Sequence, residues 1–168
     1  SNILGGATSY TYKGDRAGYT ASSTSARSLQ SKLDELVSVL DFGAKGDGAT
    51  DDTAAINNAL YQLYCVQETS TITRRVLYFP PGTYLLTSDE LKVPAYAHMV
   101  GAGQEKTFIR QQTASRSVLR TADSDQNISS SIGTASAVTP RYITVTGMTL
   151  HQSLAHNVAI IEQCNEVR

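Results

Sequence analysis

Apolar residues recur with a helical period in two stretches of the chain, both within the first 64 positions. The first stretch has a seam with alternating spacings of three and four residues: Ala26, Leu29, Leu33, Leu36 and Leu40. This seam predicts a short helix or neck over 25–40, with Thr24 or Ser25 as N-cap. Two heptads are too short for a stable isolated helix, so the seam needs a packing partner. That partner is either the helix's own domain or identical chains in a three-stranded coiled coil.

The second stretch predicts a helix over about 53–64, with one apolar face at the spacing i, i+3, i+4, i+7 and i+8. The residues of this face are Ile56, Ala59, Leu60, Leu63 and Tyr64. Beyond Arg75 the pattern changes to short runs rich in β-branched residues, separated by Gly, Pro, Asn or polar turns, and these runs predict strands. Within "VLYFPPGTYLL", Pro81 and Gly82 predict a type II turn in which Gly82 supplies a positive φ.

Many short strands without intervening helices predict a mainly β protein. Two details favour a solenoid over a sandwich: Gly147 alone turns the chain between two strands, and "VAII" is apolar at consecutive positions. We therefore expect the start of a right-handed parallel β-helix over 41–168, capped by the helix at 53–64. The chain ends within an apparent rung, so we expect a truncated solenoid. The Ser/Thr-rich stretch 121–140 is expected to be a functional or exposed loop.

Residues 1–24 are small, polar and dotted with tyrosines, and they offer too little apolar surface to fold alone, so we expect an extended arm. The 168 residues carry a net charge of −1, which gives no electrostatic reason to expect nucleic acid as a partner. No apolar run approaches the ~20 residues of a membrane span, so no membrane insertion is expected. The two cysteines, Cys65 and Cys164, fit assembly in a reducing compartment rather than a disulfide framework.

The pairing of "DFGAKGDGATDDT" with "FPPGTY" further along resembles the pectate-lyase-superfamily domain that opens the β-helix of bacteriophage tailspikes and related polysaccharide-degrading proteins. The resemblance covers about 37–168, and the short helix leading into the motif looks like the phage form. It implies a homotrimeric, virion-attached receptor-binding protein, tailspike or tail fibre, assembled in the host cytoplasm. Its N-terminal part would bind a tail or baseplate protein, and its β-helix would contact bacterial surface glycan.

The resemblance also implies that the glycan is cleaved in many relatives, by hydrolysis or by lyase chemistry. Their catalytic carboxylates usually lie further along the β-helix or between subunits, and no position of this chain matches them. Two enzymatic alternatives therefore stay open beside the structural one. The chain is either the N-terminal part of a polysaccharide depolymerase acting on capsule or O-antigen, or part of a secreted pectinase-like enzyme.

The glycines and aspartates of the motif allow several kinds of site. Gly43, Gly46 and Gly48 lack both the order G-x-G-x-x-G and the terminal G-K-[ST] of phosphate-binding loops. Asp47 with its neighbours lacks the spacing and the closing Glu of an EF-hand calcium loop. No cofactor and no metal is therefore expected.

The favoured interpretation of the same stretch is structural. Thr50 or Asp51 caps the helix that follows, and acidic residues in its first turn favour the positive end of the macrodipole. Asp51 and Asp52 are adjacent at the helix start, so their side chains diverge too far for an acid–base pair across one glycosidic bond. The glycines permit tight turns with positive φ.

Asp123 and Asp125 in the long loop are the best remaining carboxylate pair for catalysis or glycan binding, with solvated turn chemistry as the alternative. The other candidates carry weaker signals: Glu162 and Glu166 beside an apparent turn, His151 and His156 without a third metal ligand, and the arm tyrosines Tyr10, Tyr12 and Tyr19. For the tyrosines, contact with a partner protein is favoured over stacking on sugars.

Overall fold

The computed structural model of the chain describes residues 9–11, 26–28, 33, 35–66, 75–122, 141–154 and 157–160. The chain divides into two units, Ser1–Glu35 and Leu36–Arg168. No helix in the described ranges is both long and apolar enough to cross a membrane.

The N-terminal unit contains an antiparallel pair of strands, β1 (Ser9–Thr11) and β2 (Ala26–Ser28). The helix predicted over 25–40 is therefore wrong at its start, because Ala26 lies in a strand, opposite Thr11. Pairing hydrogen-bonds the backbone of both segments, whereas two isolated heptads gain too little from helix formation to exclude it.

The second unit is a solenoid of three parallel sheets. Sheet 1 consists of β3 (Leu36–Ser38), β5 (Val76–Phe79), β8 (His98–Gly101) and β11 (Thr144–Thr146). Sheet 2 consists of β4 (Asp47–Asp51), β6 (Gly82–Leu86), β9 (Thr107–Gln111) and β12 (Thr149–Gln152). Sheet 3 consists of β7 (Leu91–Val93), β10 (Leu119–Thr121) and β13 (Ala159–Ile160). Each full rung passes through the three sheets in turn, so the predicted right-handed parallel β-helix is confirmed.

The interior is filled by columns of apolar side chains that stack from one rung to the next. Leu77 lies beside Met99 in sheet 1, and Tyr84 lies beside Ile109 in sheet 2. All four side chains are buried. Full burial of a Leu, Ile or Met side chain stabilises the fold by about 1.5–3 kcal/mol. Each rung is therefore stabilised mainly by the rungs directly above and below it.

Helix α1 (Thr53–Tyr61) and the π-helical turn that continues it, Gln62–Val66, agree with the helix predicted over 53–64. The apolar face predicted for this helix is buried in the core: Ile56, Ala59, Leu60, Leu63 and Tyr64. Burial raises the pKa of the Tyr64 hydroxyl to about 12, and this hydroxyl donates to the backbone carbonyl of Arg75 at 2.6 Å.

Helix α1 also supplies a hydrogen-bonding partner to β7, the first strand of sheet 3. Nδ2 of Asn57 donates to the Glu90 carbonyl at 3.0 Å, and Oδ1 of Asn57 accepts from the Lys92 N–H at 2.9 Å. The carboxamide thus takes the place of a peptide group in a neighbouring strand. Because this edge of β7 is hydrogen-bonded, the helix closes the sheet as well as the apolar interior.

The segment that leads into the solenoid differs from the predicted helix. Leu36 lies in β3, opposite Val76, and Leu40 lies in a 3₁₀-helix, Val39–Phe42. A capping box explains this start, because the Ser38 side chain accepts from the Leu40 N–H and Asp41 accepts from the Ser38 N–H. The S-x-x-D spacing is visible in the sequence, but the leucine period obscured it.

The leucine seam as a set is thus not one helical face. Leu29 lies outside the described residues, and Leu33, Leu36 and Leu40 are exposed. Contact of these leucines with another chain stays a prediction.

Corners between sheets 1 and 2 bring two stretches of backbone into direct contact. A Cβ on Gly82 would lie 2.6 Å from the carbonyl oxygen of Gly46, and one on Gly101 would lie 2.3 Å from that of Gly147. Gly147 has a φ of 65° and turns the chain from β11 towards β12, as predicted. The type II turn predicted at Pro81 and Gly82 is wrong, because Gly82 does not have a positive φ and is the first residue of β6. Close backbone approach, rather than left-handed conformation, requires glycine there.

We predict that Gly101→Ala destabilises the solenoid by about 3 kcal/mol, since the added methyl group meets backbone that cannot rotate away. Gly43→Ala is the control, because Gly43 has a φ of 94° but no atom within 4 Å of its Cβ position. Its expected loss is about 1 kcal/mol, from left-handed strain alone. Urea unfolding of both variants measures the difference, and equal losses would contradict the role assigned to the backbone contact.

Candidate functional site

The glycines and aspartates at 43–53, here called the aspartate corner, join the 3₁₀-helix to helix α1. Gly43, Gly46 and Gly48 have φ values of 94°, 63° and 71°, as the structural interpretation of this stretch requires. At Gly46 a Cβ would also lie 2.9 Å from the ring of Tyr84. The corner therefore packs directly on the first full rung.

Asp52 holds the aspartate corner together from the inside. Its side chain is buried, with Oδ1 accepting from the Lys45 N–H at 2.7 Å and Oδ2 accepting from the Gly46 N–H at 3.0 Å. Asp52 occupies the N-cap position of helix α1, but its carboxylate makes no capping hydrogen bond. The sequence placed Asp52 among the structural residues but did not reveal that it binds the preceding loop.

Asp51 binds the start of the helix. Its Oδ1 accepts from the Thr53 N–H at 3.1 Å and from the Thr87 N–H at 3.2 Å. Burial opposes ionisation of this carboxyl, but hydrogen bonds from Thr53, Ser88 and Thr87 outweigh burial and hold its pKa well below the usual range. Of the two capping candidates, it is therefore Asp51 that reaches an N–H of the first helical turn.

Thr50 does not cap the helix, because it lies in β4 and its hydroxyl donates to Oδ2 of Asp47 at 2.8 Å. Asp47 also accepts from the N–H groups of Thr50 and Ala49, at 2.7 and 2.9 Å. These hydrogen bonds, led by the one from the Thr50 backbone, lower the pKa of Asp47 to about 2. The three carboxylates thus accept from backbone N–H groups, mostly those of the corner itself and, for Asp51, also that of Thr87.

A second polar cluster, here called the charged corner, lies between sheets 2 and 3. Oε1 of the buried Glu90 accepts from Nε of Arg120 at 2.6 Å, and Asp89 pairs with Arg116 at 3.1 Å and with Lys92 at 3.2 Å. Burial opposes ionisation of Asp89, but the Glu90 N–H and these two cations hold its pKa below the usual value. The sequence did not reveal this cluster, because its two arginines lie one rung away from Asp89 and Glu90.

The third corner, between sheets 3 and 1, carries two tyrosines from successive rungs. The rings of Tyr96 and Tyr142 are stacked, with centroids 5.4 Å apart and planes at 28°. Cζ of Arg141 lies 5.4 Å from the centroid of the Tyr96 ring. We call these three residues the tyrosine corner. Sequence reasoning missed it, although the half-exposed Tyr142 lies beside an arginine.

The remaining candidates do not come together with these clusters. His151 is exposed on β12, and Cys65 is buried in the π-helical turn. Among the described ranges, no three His, Cys, Asp or Glu side chains are grouped as a metal site requires. Several predicted residues lie outside the described parts of the chain: Asp123, Asp125, His156, Glu162, Cys164, Glu166, Tyr12 and Tyr19. For Tyr10 the backbone position in β1 is described.

Comparison with known sequences places the chain in a family. The profile of the family described as "Rhamnogalacturonase A/epimerase, pectate lyase-like" matches residues 36–164. The match spans the solenoid and more than half of the chain, so the chain belongs to this pectate-lyase-like family.

Two curated relatives match parts of the chain. It is 47% identical over 66 residues to a probable glucan endo-1,3-beta-glucosidase of Arthroderma benhamiae, a match that covers 38% of the chain and 7% of that protein. It is 37% identical over 78 residues to mannuronan C5-epimerase AlgE2 of Azotobacter vinelandii, covering 43% of the chain and 7% of that protein. Both are named for reactions on polysaccharides.

Two solved structures from viruses are similar over most of the chain. ORF18 of Geobacillus virus E2 is 25% identical with a TM-score of 0.61, over 83% of this chain and 26% of that one. Tailspike protein 3 of bacteriophage CBA120 is 18% identical with a TM-score of 0.64, over 95% of this chain and 23% of that one, and shows the fold alone. The chain thus spans about a quarter or less of the length of these four proteins.

We predict that Asp52→Ala destabilises the solenoid by about 3 kcal/mol, because it leaves the Lys45 and Gly46 N–H groups without their acceptor. Asp52→Asn is expected to lose less, since it retains one acceptor oxygen. The control is Asp47→Ala on the exposed side of the corner, with a clearly smaller expected loss. Thermal and urea unfolding measure the loss of stability in each variant. A larger loss in Asp47→Ala than in Asp52→Ala would contradict the role assigned to Asp52.

Proposed function

We propose that this chain is the N-terminal part of a bacteriophage receptor-binding protein of the tailspike or tail-fibre type. Residues 1–24 attach the protein to a tail or baseplate protein, residues 25–40 form the neck, and residues 41–168 begin the glycan-recognising solenoid. The observation that carries this proposal is the similarity to a Geobacillus virus protein across 83% of the chain. The fold shared with a phage tailspike and the polysaccharide-acting relatives support it.

The outer face of sheet 1 supports assembly into a homotrimer. Side chains alternate in and out along its strands, and four of the six outward positions of its first three strands are apolar or aromatic, namely Leu36, Val76, Tyr78 and Val100, beside Ser38 and His98. The exposed Leu40 follows β3 directly. Outward positions on β9 and β12 of sheet 2 are more polar, with Arg110, Thr149 and His151 beside Phe108. An apolar patch on one face of a soluble solenoid is suited to burial against identical chains.

Five of the described carboxylates are engaged within the chain, which favours a mechanical role over catalysis. Glu90 and Asp89 are bound to cations, and Asp47, Asp51 and Asp52 accept hydrogen bonds from backbone N–H groups. Glycoside hydrolysis requires an acid and a second carboxylate on either side of one bond. In our proposal the segment therefore joins the solenoid to the virion tail and sets the register of the three chains.

A polysaccharide depolymerase is the second candidate, favoured by the glucosidase and epimerase names of the curated relatives. We expect the purified 168-residue chain to leave capsular and O-antigen polysaccharide intact. Size-exclusion analysis of the polysaccharide and a reducing-end assay measure cleavage by hydrolysis, and absorbance at 235 nm detects the unsaturated product of a lyase. Cleavage by this chain alone would replace the mechanical role with an enzymatic one.

We predict that Val100→Glu converts the trimer to monomers, because it places a charge in the proposed interface at a cost of about 3 kcal/mol or more. Thr149→Glu, on the outer face of sheet 2, is the matched control and should remain trimeric. Sedimentation velocity measures the oligomeric state, and circular dichroism confirms that both variants fold. A wild-type monomer, or a trimer that persists in Val100→Glu, would contradict the assigned interface.

A further inference from the structure

At the tyrosine corner, two aromatic residues adopt a backbone conformation that is unfavourable for non-glycine residues. Tyr96 and Tyr142 have φ values of 66° and 53°, and among the described residues they are the non-glycine positions with positive φ. A left-handed conformation costs an ordinary L-residue about 1–2 kcal/mol, whereas Gly and Asn adopt it readily. The stacking of two rings is worth about 0.5–1.5 kcal/mol, so stacking at most offsets the cost at one of the two positions.

A backbone hydrogen bond holds this corner together in addition to the stacked rings. The Tyr96 N–H donates to the Arg141 carbonyl at 2.8 Å, which ties the two rungs together through backbone atoms. The Tyr142 side chain remains 55% exposed. A half-exposed ring in a strained backbone conformation therefore contributes little to folding, and a functional constraint accounts for it better.

Arg141 adds a positive charge whose carboxylate partner is missing from the described residues. The described ion pairs involve Lys92, Arg116 and Arg120 with Asp89 and Glu90, and none involves Arg141. Nε of Arg141 is buried and has no hydrogen-bond partner among the described residues. The guanidinium is instead held over the Tyr96 ring, beside the exposed Tyr142. An aromatic surface next to an uncompensated cation matches a ligand with an apolar face and an anionic group.

We propose that the tyrosine corner is a binding site for an acidic saccharide. The exposed ring of Tyr142 packs against the C–H face of a pyranose, and the Arg141 guanidinium pairs with the carboxylate of a uronic acid or a similar sugar. This assignment rests on the proposed function only for the expectation that the ligand is a glycan. The new elements are the negative charge of the ligand and the residues that recognise it.

The test uses the 168-residue chain and four variants. Tyr142→Asn removes the ring but retains a residue suited to left-handed backbone, and Tyr142→Phe keeps the ring. Arg141→Gln removes the cation, and Arg110→Gln makes the same change on exposed β9, away from the corner. The probes are hexasaccharides of galacturonate and of mannuronate, with a neutral β-1,3-glucan hexasaccharide as control. Isothermal titration measures binding, and thermal unfolding measures stability.

We expect wild-type chain, Tyr142→Phe and Arg110→Gln to bind at least one acidic hexasaccharide with similar affinity, and the neutral one at least tenfold more weakly. Tyr142→Asn and Arg141→Gln should each lose at least tenfold in affinity, while Tyr142→Asn keeps or raises the unfolding temperature. A lowered unfolding temperature with unchanged binding would make the rings structural. Absence of acidic-saccharide binding, or equal binding of the neutral probe, would overturn the proposal.

These outcomes are separate from those of the proposed function. A trimeric chain whose saccharide affinity is unchanged by the corner variants would overturn the binding site alone. A monomeric chain or one that cleaves polysaccharide would overturn the proposed role while leaving the saccharide measurements valid. A loss of trimer in Tyr142→Asn would assign the ring to a contact between chains instead.

Discussion

Every rung of the solenoid must return the chain to a position directly over the rung before it, and this constraint is tightest at the corners between sheets 1 and 2. There the backbones touch, with Gly82 against the Gly46 carbonyl and Gly101 against that of Gly147. Any side chain at Gly82 or Gly101 would separate the rungs and misalign the columns of buried residues. The parallel pairing and the apolar interior both depend on this close approach.

The first end of such a stack lacks a preceding rung, and helix α1 takes its place. It covers the interior with its apolar face and uses the Asn57 carboxamide to hydrogen-bond the edge of β7. Asp52 in turn hydrogen-bonds the loop at Lys45 and Gly46, which precedes the helix. The motif rich in Gly and Asp is therefore used to begin the fold, and its carboxylates are engaged by backbone N–H groups.

Because the interior and the first end are closed, chemistry in the described part is confined to outer faces and corners. The charged corner neutralises its own carboxylates through Lys92, Arg116 and Arg120. The outer face of sheet 1 and the tyrosine corner are different, because Leu36, Leu40 and Tyr142 leave large apolar surfaces exposed. They are the surfaces we assign to identical chains and to glycan.

The sequence by itself determined the parallel β-helix, its capping helix and the structural use of the Gly- and Asp-rich motif, because these follow from local periods and turn chemistry. It misassigned the two ends of the predicted helix, at Ala26 and Leu36, where strand pairing with distant partners outweighed a weak helical period. Tertiary structure alone decided why Gly82 is a glycine, which loop Asp52 binds, and which residues meet at the charged and tyrosine corners. Most of those contacts join residues about one rung apart, and the register that brings them together is set by the stacking of rungs; the Asp52 contact spans only six or seven residues but depends on the tertiary path of the loop.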